Sequence, residues 1–235
     1  MISVCVATYN GEKLIGEQLA SILSQLSDED EVIVSDDHST DGTLEVVRSL
    51  HSPIVRIIEG PCKGLIRNFE NALKASKGEY VFLSDQDDKW LPNKVKVMVE
   101  ALQTADCVVS DCYVTDGQLN ITSESFYALR HTKMGRFYNL FVKNGYLGCC
   151  MAMRRNVVER SLPFPANIPM HDIWMGNIAA FSYRVAFVPE RLIYFRRHKC
   201  NASKTAGKSS FSVFKMLRIR LSLIYPLVRR LVFNR

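Results

Sequence analysis

No stretch of about 18 consecutive apolar residues occurs in this sequence, so nothing in it reads as a membrane-spanning helix. No two cysteines have the C-x-x-C spacing of a zinc or redox site. The seven cysteines are an odd number, and the nearest are the adjacent Cys149 and Cys150, then Cys107 and Cys112. That argues against a disulfide framework and for reduced thiols in a cytosolic protein. A basic leader ahead of an apolar run is missing near Met1, where the chain enters a strand-like run, Ile2 to Val6, at once. In that setting the sequons at Asn120 and Asn201 are chance matches. Internal repeats and low-complexity segments are missing too. The scarcest feature is negative charge near the end: residues 191–235 hold twelve Lys and Arg and not one Asp or Glu.

The remainder is therefore acidic. The 235 residues contain 30 bases and 24 acids, a formal charge of +6, which leaves eighteen bases against 24 acids in residues 1–190. An acidic body carries a basic tail. With 47% apolar and 23% charged residues the chain is not a disordered one, and its length can bury one sizeable core.

The first 115 residues alternate between short β-branched runs and helical patterns. Ile2–Ala7, Glu31–Ser35, Ile54–Ile58, Glu79–Ser84 and Cys107–Val109 read as strands. The spacing of Leu14, Ile15, Gln18, Leu19 and Ile22 predicts a helix between the first two, and further helices fall around Leu44–Leu50, Ile66–Leu73 and after Pro92. This rhythm predicts a doubly wound, mostly parallel α/β sheet, which takes ligands at the carboxyl ends of its strands. Farther on, Leu147–Met153 reads as a strand, His171–Phe181 as a helix, and Arg184–Val188 and Leu192–Phe195 as two short strands. A polar stretch from Lys199 to Ser210 leads to the tail.

Two acidic clusters close predicted strands. Asp36-Asp37 follows the second; a carboxylate there can accept the imide N–H of a pyrimidine base, and it can equally form a turn and helix cap. Asp85-Gln86-Asp87-Asp88 follows the fourth. Three carboxylates in four residues repel one another unless a cation joins them, and oxygen ligands suit Mg²⁺ or Mn²⁺; a solvated acidic turn is the other reading. Two such clusters on one rim favour a metal with a nucleotide diphosphate.

The segments Val6-Ala7-Thr8-Tyr9-Asn10-Gly11, Val34-Ser35-Asp36-Asp37-His38-Ser39-Thr40-Asp41-Gly42-Thr43 and Gly78 to Asp88 together resemble a family 2 glycosyltransferase of the GT-A fold. Tyr194-Phe195-Arg196-Arg197-His198 with Asn201-Ala202-Ser203 is similar to bacterial rhamnosyltransferase-like members of polysaccharide and O-antigen assembly. The resemblance implies a GT-A catalytic domain at residues 1–203, divided into a nucleotide-sugar-binding half (1–115) and an acceptor half (116–203), followed by a basic tail (204–235). It implies that Ala7, Thr8, Tyr9 and Asn10 line the nucleotide, that Asp37 holds the base with Asp36 beside it, and that Arg67 and Asn68 contact base or ribose. Asp85, Gln86 and Asp87 would be the D-x-D motif, with Asp87 the main metal ligand and Asp88 and His198 further candidates. Gly148 and Cys149 would lie beside the donor sugar. Asp172 would be the catalytic base, although the usual acidic neighbour before it is His171 here.

One metal site and one base imply a single displacement that inverts the anomeric carbon. The expected donor is dTDP-rhamnose or a UDP-hexose, and the acceptor a lipid-linked saccharide. In the tail, Phe214, Leu217, Leu221, Ile224, Val228 and Leu231 recur at helical spacing, with Lys215, Arg218 and Arg229 on the other side. This predicts a basic amphipathic helix, bound through residues 208–235 to the inner face of the bacterial cell membrane or packed on the body. Nucleic acid is not an expected partner, since no recognition motif accompanies the charge. Two alternatives are a sugar-1-phosphate nucleotidyltransferase, which favours a glycine-rich loop after the first strand that this chain lacks, and an inactive membrane-bound scaffold, against which the full set of acidic and histidine candidates argues.

Overall fold

The computed structural model describes residues 1–133, 135–198 and 213–233, and within the last stretch the side chains of 213–217 and 219 are excepted. Lys199, the Asn201-Ala202-Ser203 segment, the polar stretch after it, the beginning of the tail, and the Phe214, Lys215 and Leu217 side chains lie outside the described residues.

In chain order the elements are β1 (Ile2–Thr8), α1 (Ile15–Leu23), β2 (Glu31–Asp36), α2 (Thr43–Ser49), β3 (Val55–Glu59), α3 (Leu65–Ala75), β4 (Tyr80–Asp85), β5 (Lys89–Trp90) and α4 (Lys94–Ala101). The second half contains β6 (Cys107–Thr115), β7 (Ile121–Ser123), α5 (Phe126–Arg130), α6 (Arg136–Phe141), β8 (Met151–Arg154), α7 (Arg155–Ser161), α8 (His171–Ser182), β9 (Val185–Arg196) and α9 (Val213–Phe233). The sheet order is β3-β2-β1-β4-β8-β6-β9-β5, with β7 alongside β6. β1, β2, β3 and β4 are mutually parallel, as are β6 and β9; β8 runs antiparallel between the two groups. The fold is thus the expected mixed α/β layer structure with a mostly parallel sheet. β1 lies between two partners and is covered on both faces, which is why it reads as an unbroken apolar run rather than an alternating one.

Register fixes the ligand rim. Thr8 stands opposite Asp36 and Ala7 opposite Asp85, so the ends of β1, β2 and β4 are level. Gln18 on the buried face of α1 donates to Ser84 Oγ (2.6 Å) and to the Asp85 carbonyl (3.1 Å), tying the first helix to the end of β4.

Three expected elements differ. Leu147–Met153 is not one strand: Gly148–Cys150 forms a 3-10 turn and β8 starts at Met151. Asp172 takes the Gly148 amide, and Cys150 N–H bonds back to the Leu147 carbonyl (2.9 Å), so neither amide is free for a ladder. The two short strands at Arg184–Val188 and Leu192–Phe195 are one strand, β9. Its ladder with β6 slips between Ser110 and Asp111, and Pro189 and Glu190 occupy that irregularity, where a proline removes no ladder bond.

The tail helix differs in which side it buries. Leu223 and Leu227 are buried in the core against α8, whereas Leu221 and Val228 of the expected stripe are exposed and Ile224 and Leu231 are half-buried. α9 is apolar on more than one side, and the body takes the side that arginines can flank. Arg230 donates to the carbonyls of Arg160, Leu162 and Pro163 (2.7 Å each), and Arg220 to those of Asn139 (3.2 Å), Leu140 and Val142 (2.6 Å). Pro226 lies inside the helix. No helix among the described residues is long and apolar enough to cross a membrane.

Candidate active site

The two acidic strand ends divide their work. Asp36 is buried and its oxygens are used locally: Oδ1 accepts from Thr8 Oγ1 (2.9 Å) and Ser39 Oγ (2.6 Å), Oδ2 from the Ser39 amide (2.9 Å). It is the turn-forming residue of the pair. Asp37 accepts the Gly64 amide on Oδ2 (2.9 Å), while its buried Oδ1 has no partner among the described residues. One acceptor of Asp37 is therefore uncommitted at this strand end.

The loop after β1 is clipped to the loop after β4. Gln86 accepts the Tyr9 amide on Oε1 (2.9 Å) and returns its Nε2–H to the Tyr9 carbonyl (3.0 Å). Gly11 permits this approach, since a Cβ there would stand 2.5 Å from Gln86 Oε1. Asn10 in turn accepts the Thr40 amide (2.8 Å), joining the β1 and β2 loops and leaving the Tyr9 ring exposed on the rim. Arg67 and Asn68, expected at base or ribose, have protein partners instead. Arg67 pairs with Glu70 and donates to the Phe164 and Pro165 carbonyls (3.0 Å each), holding the proline-rich loop on α3. Asn68 is buried beneath the rim and donates to the Thr8 (3.1 Å) and Ser35 (2.8 Å) carbonyls.

β5 pairs antiparallel with β9, Lys89 opposite Tyr194, which returns the chain after β9 to the D-x-D loop. His198 Nε2 consequently lies 2.8 Å from Asp87 Oδ2, across 111 residues of sequence. Asp88 is buried, accepts the Arg196 amide on Oδ1 (2.9 Å), and has no partner on Oδ2 among the described residues. Ligand atoms of Asp85, Asp88 and Cys149 lie within 4.8 Å of one another. The three expected ligands Asp87, Asp88 and His198 are thus distributed over two adjoining groups among the described residues. Burial, then the charges of Asp87 and Asp172, push the Asp85 carboxyl up to about 8, and burial raises Asp88 as well. A buried carboxylate set with an orphan oxygen and a histidine on its rim fits a divalent cation.

Asp172 is the second residue of α8, whose N-cap is Met170. Its Oδ1 accepts the Ile173 amide (2.6 Å) and its Oδ2 the Gly148 amide (3.1 Å), so the carboxylate faces the turn beside Cys149. Burial pushes Asp172 up to about 6, the range of a base working near neutrality.

Two residues at the site were not legible from the sequence. Arg196 is buried and spans the loop: Nε donates to the Asp87 carbonyl (2.9 Å), one amino group to the Gly117 carbonyl (2.7 Å), the other to Glu17 Oε2 (2.5 Å). Only β9's place beside β5 and α1 creates these partners. Lys94 is fully buried, donates to the Cys149 carbonyl (2.6 Å) and lies 4.3 Å from the Trp90 ring centroid; burial pulls its ammonium down to about 8. Its sequence context, Lys94-Val95-Lys96-Val97, gives no sign of which lysine is inside. Trp90 and Trp174 are buried packing residues, the latter donating to the Ser161 carbonyl (2.9 Å).

The family model described as glycosyl transferase family 2 matches residues 3–162. The chain belongs to that family. Among similar proteins, this family 2 glycosyltransferase is 28% identical over 218 residues to the dTDP-rhamnosyl transferase RfbG of Shigella flexneri, covering 83% of this chain and 72% of that one. It is 33% identical over 105 residues to WfaP of Escherichia coli, a UDP-Glc:alpha-D-GlcNAc-diphosphoundecaprenol beta-1,3-glucosyltransferase, across 44% of this chain and 42% of the other. In fold it resembles Staphylococcus aureus TarS 1–349, solved with UDP-GlcNAc (TM-score 0.70, 18% identity, 99% of this chain and 66% of that one). It also resembles the mannosyltransferase PcManGT of Pyrobaculum calidifontis, solved with GDP-Man and Mn²⁺ (TM-score 0.64, 23% identity, 95% and 69%). These are GT-A glycosyltransferases, and the likeness establishes the same fold for this enzyme.

Proposed function

We propose that this glycosyltransferase transfers a sugar, with inversion, from a nucleoside diphosphate donor to a lipid-linked saccharide in the assembly of a bacterial surface polysaccharide. The carrying observation is convergence. Asp85, Asp87, Asp88, Cys149, Asp172 and His198 come from four separate segments and meet on one rim of the sheet. The donor class and the lipid-linked acceptor are supported by the named activities of RfbG and WfaP; dTDP-rhamnose and UDP-hexoses are the donors to test.

In this reading residues 1–115 hold the nucleotide and residues 116–203 supply the acceptor side. Asp37 accepts from the base through its unpartnered Oδ1, and the Tyr9–Gln86 clip holds the loop that lines the nucleotide. Asp87 and His198, with Asp85 and Asp88 behind them, would hold Mn²⁺ or Mg²⁺, which when bound offsets the charge of the departing diphosphate. Asp172 takes the proton of the acceptor hydroxyl as it attacks. The Gly148 and Ile173 amides fix the carboxylate for that role, and its raised pKa lets it accept a proton near neutral pH and release it afterwards. With Asp172 as the one base, the reaction is a single displacement with inversion.

The tail supports attachment to the inner face of the membrane. Leu221, Tyr225, Val228 and Val232 form an outward stripe on α9 at helical spacing, and Phe137, Phe141 and Val142 are exposed along and just after α6, to which Arg220 of α9 is bonded; Tyr225 is 73% exposed. Exposed Arg218 and Arg229 flank the stripe, as an anionic lipid surface requires.

The test is hydrolysis and transfer with a panel of nucleotide sugars, with and without Mn²⁺. Metal-dependent release of UDP or dTDP supports the reading; release of pyrophosphate from a nucleoside triphosphate and a sugar phosphate supports the nucleotidyltransferase instead. Absence of both in a protein that binds no nucleotide supports the scaffold.

A further inference from the structure

One buried polar group at the site has no part in the mechanism above. His171, the first residue of α8, is 3% exposed and its ring stacks on Phe69 with centroids 3.9 Å apart and planes 22° from parallel. Neither ring nitrogen has a hydrogen-bond partner among the described residues. Burial pulls its pKa down to about 3, so the imidazole is uncharged at neutral pH, with one N–H donor and one acceptor nitrogen. A buried imidazole without partners costs folding free energy, and a phenyl ring would fill the same stack without that cost.

The ring is aimed at the site. A Cβ on Gly148 would stand 3.0 Å from His171 Nε2, 3.4 Å from Asp172 Cβ and 3.8 Å from Asp172 Oδ2. Nε2 and the Asp172 carboxylate therefore face the same glycine, whose amide Asp172 already holds, one residue from Cys149 and the acidic group. We infer that His171 is a donor-specificity residue whose Nε2 hydrogen-bonds a hydroxyl of the transferred sugar, beside Gly148 and next to Asp172. Its ligand is thus the hexose or deoxyhexose part of the donor rather than the nucleotide, which lies toward β1 and β2. This rests on the nucleotide-sugar reading.

His171→Phe keeps the stack and removes both nitrogens. Affinities are measured by calorimetry with Mn²⁺ for UDP against UDP-glucose and for dTDP against dTDP-rhamnose, using whichever pair the wild type binds. The expected result is free-nucleotide affinity within about twofold of wild type, a ratio of nucleotide-sugar to nucleotide Kd raised about tenfold, and a melting temperature higher by about 2–8 °C. An unchanged ratio overturns the inference, as does an equal loss for nucleotide and nucleotide sugar, which marks a structural role. If the Phe variant does not fold, His171→Leu is judged by the same ratio. A wild type that binds UDP or dTDP but no intact nucleotide sugar overturns this inference and the proposed donor class together, whereas wild-type binding with an unchanged variant ratio overturns this inference alone.

Discussion

As the proposed base, Asp172 has to be ionised to act, and burial raises its pKa from 3.8 to about 6. Turnover under saturating donor is therefore expected to rise with pH, reach half its plateau near pH 6 and stay flat above, which a pH–rate profile checks. Asp172→Asn should lower kcat by at least about 100-fold while calorimetry finds donor binding unchanged; lost donor binding would refute the base assignment. The linkage has a definite sign. The folded state holds this proton more tightly than the unfolded chain, so wild-type stability falls as pH rises from about 4 to about 6 and is level beyond. The Asn variant lacks that decline, and thermal melts at pH 5 and pH 8 would show the difference. Nearby, Asp36 and Asp37 illustrate what single-residue reading can and cannot give. Turn-forming and base-binding readings were both open for the pair; that Asp36 is the turn-forming one is decided by Ser39 and Thr8 reaching it.

At the scale of elements, the 3-10 turn Gly148–Cys150 is where the two halves of the sheet meet, and its glycine sets how closely α8 approaches. Gly148→Ala places a methyl 3.0 Å from His171 Nε2 and 3.4 Å from Asp172 Cβ. The expected outcome is about 1–3 kcal/mol of destabilisation in urea unfolding and a larger proportional loss of kcat than of nucleotide affinity, because the helix start carrying Asp172, the proposed base, must move. β9 has a comparable role through Arg196. Arg196→Met removes bonds to the Asp87 and Gly117 carbonyls while Glu17, on the rim, can return to water. The expected cost is about 2–3 kcal/mol, with weaker Mn²⁺ dependence of activity as the loop loosens. Most strands and helices were legible in hydrophobic period alone. Short β5, β7, α5, α6 and α7 gave no periodic signal, β6 runs on past the expected Val109 to Thr115, and at Leu147–Met153 and the joined β9 a side-chain acceptor or a neighbouring strand settles the backbone's bonding.

For the whole molecule, the charge division has a structural counterpart. The acidic body gathers carboxylates on the ligand rim, and α9 brings basic residues to the opposite chemistry, two of them as anchors. Because Arg220 and Arg230 bind backbone carbonyls and Leu223 and Leu227 are core, deleting the tail would uncover an apolar bed and confuse loss of membrane binding with loss of folding. Outward substitutions avoid this. Tyr225→Glu with Val228→Glu should leave the melting temperature nearly unchanged and reduce co-sedimentation with vesicles containing phosphatidylglycerol several-fold, while undiminished pelleting would refute the lipid-facing role.

Fold class, family and the position of the acidic clusters at strand ends follow from the sequence by itself. Strand period, strand-end carboxylates and their order are local properties, and local properties survive in a linear reading. Tertiary structure alone decided the partnerships that no reading of the chain anticipated: Lys94 under Cys149, Arg196 across the Asp85–Asp88 loop, and His171 facing Gly148. Each depends on distance, burial and the direction of a side chain. Those are set by how β5, β9 and α8 pack together, and no spacing along the chain encodes them.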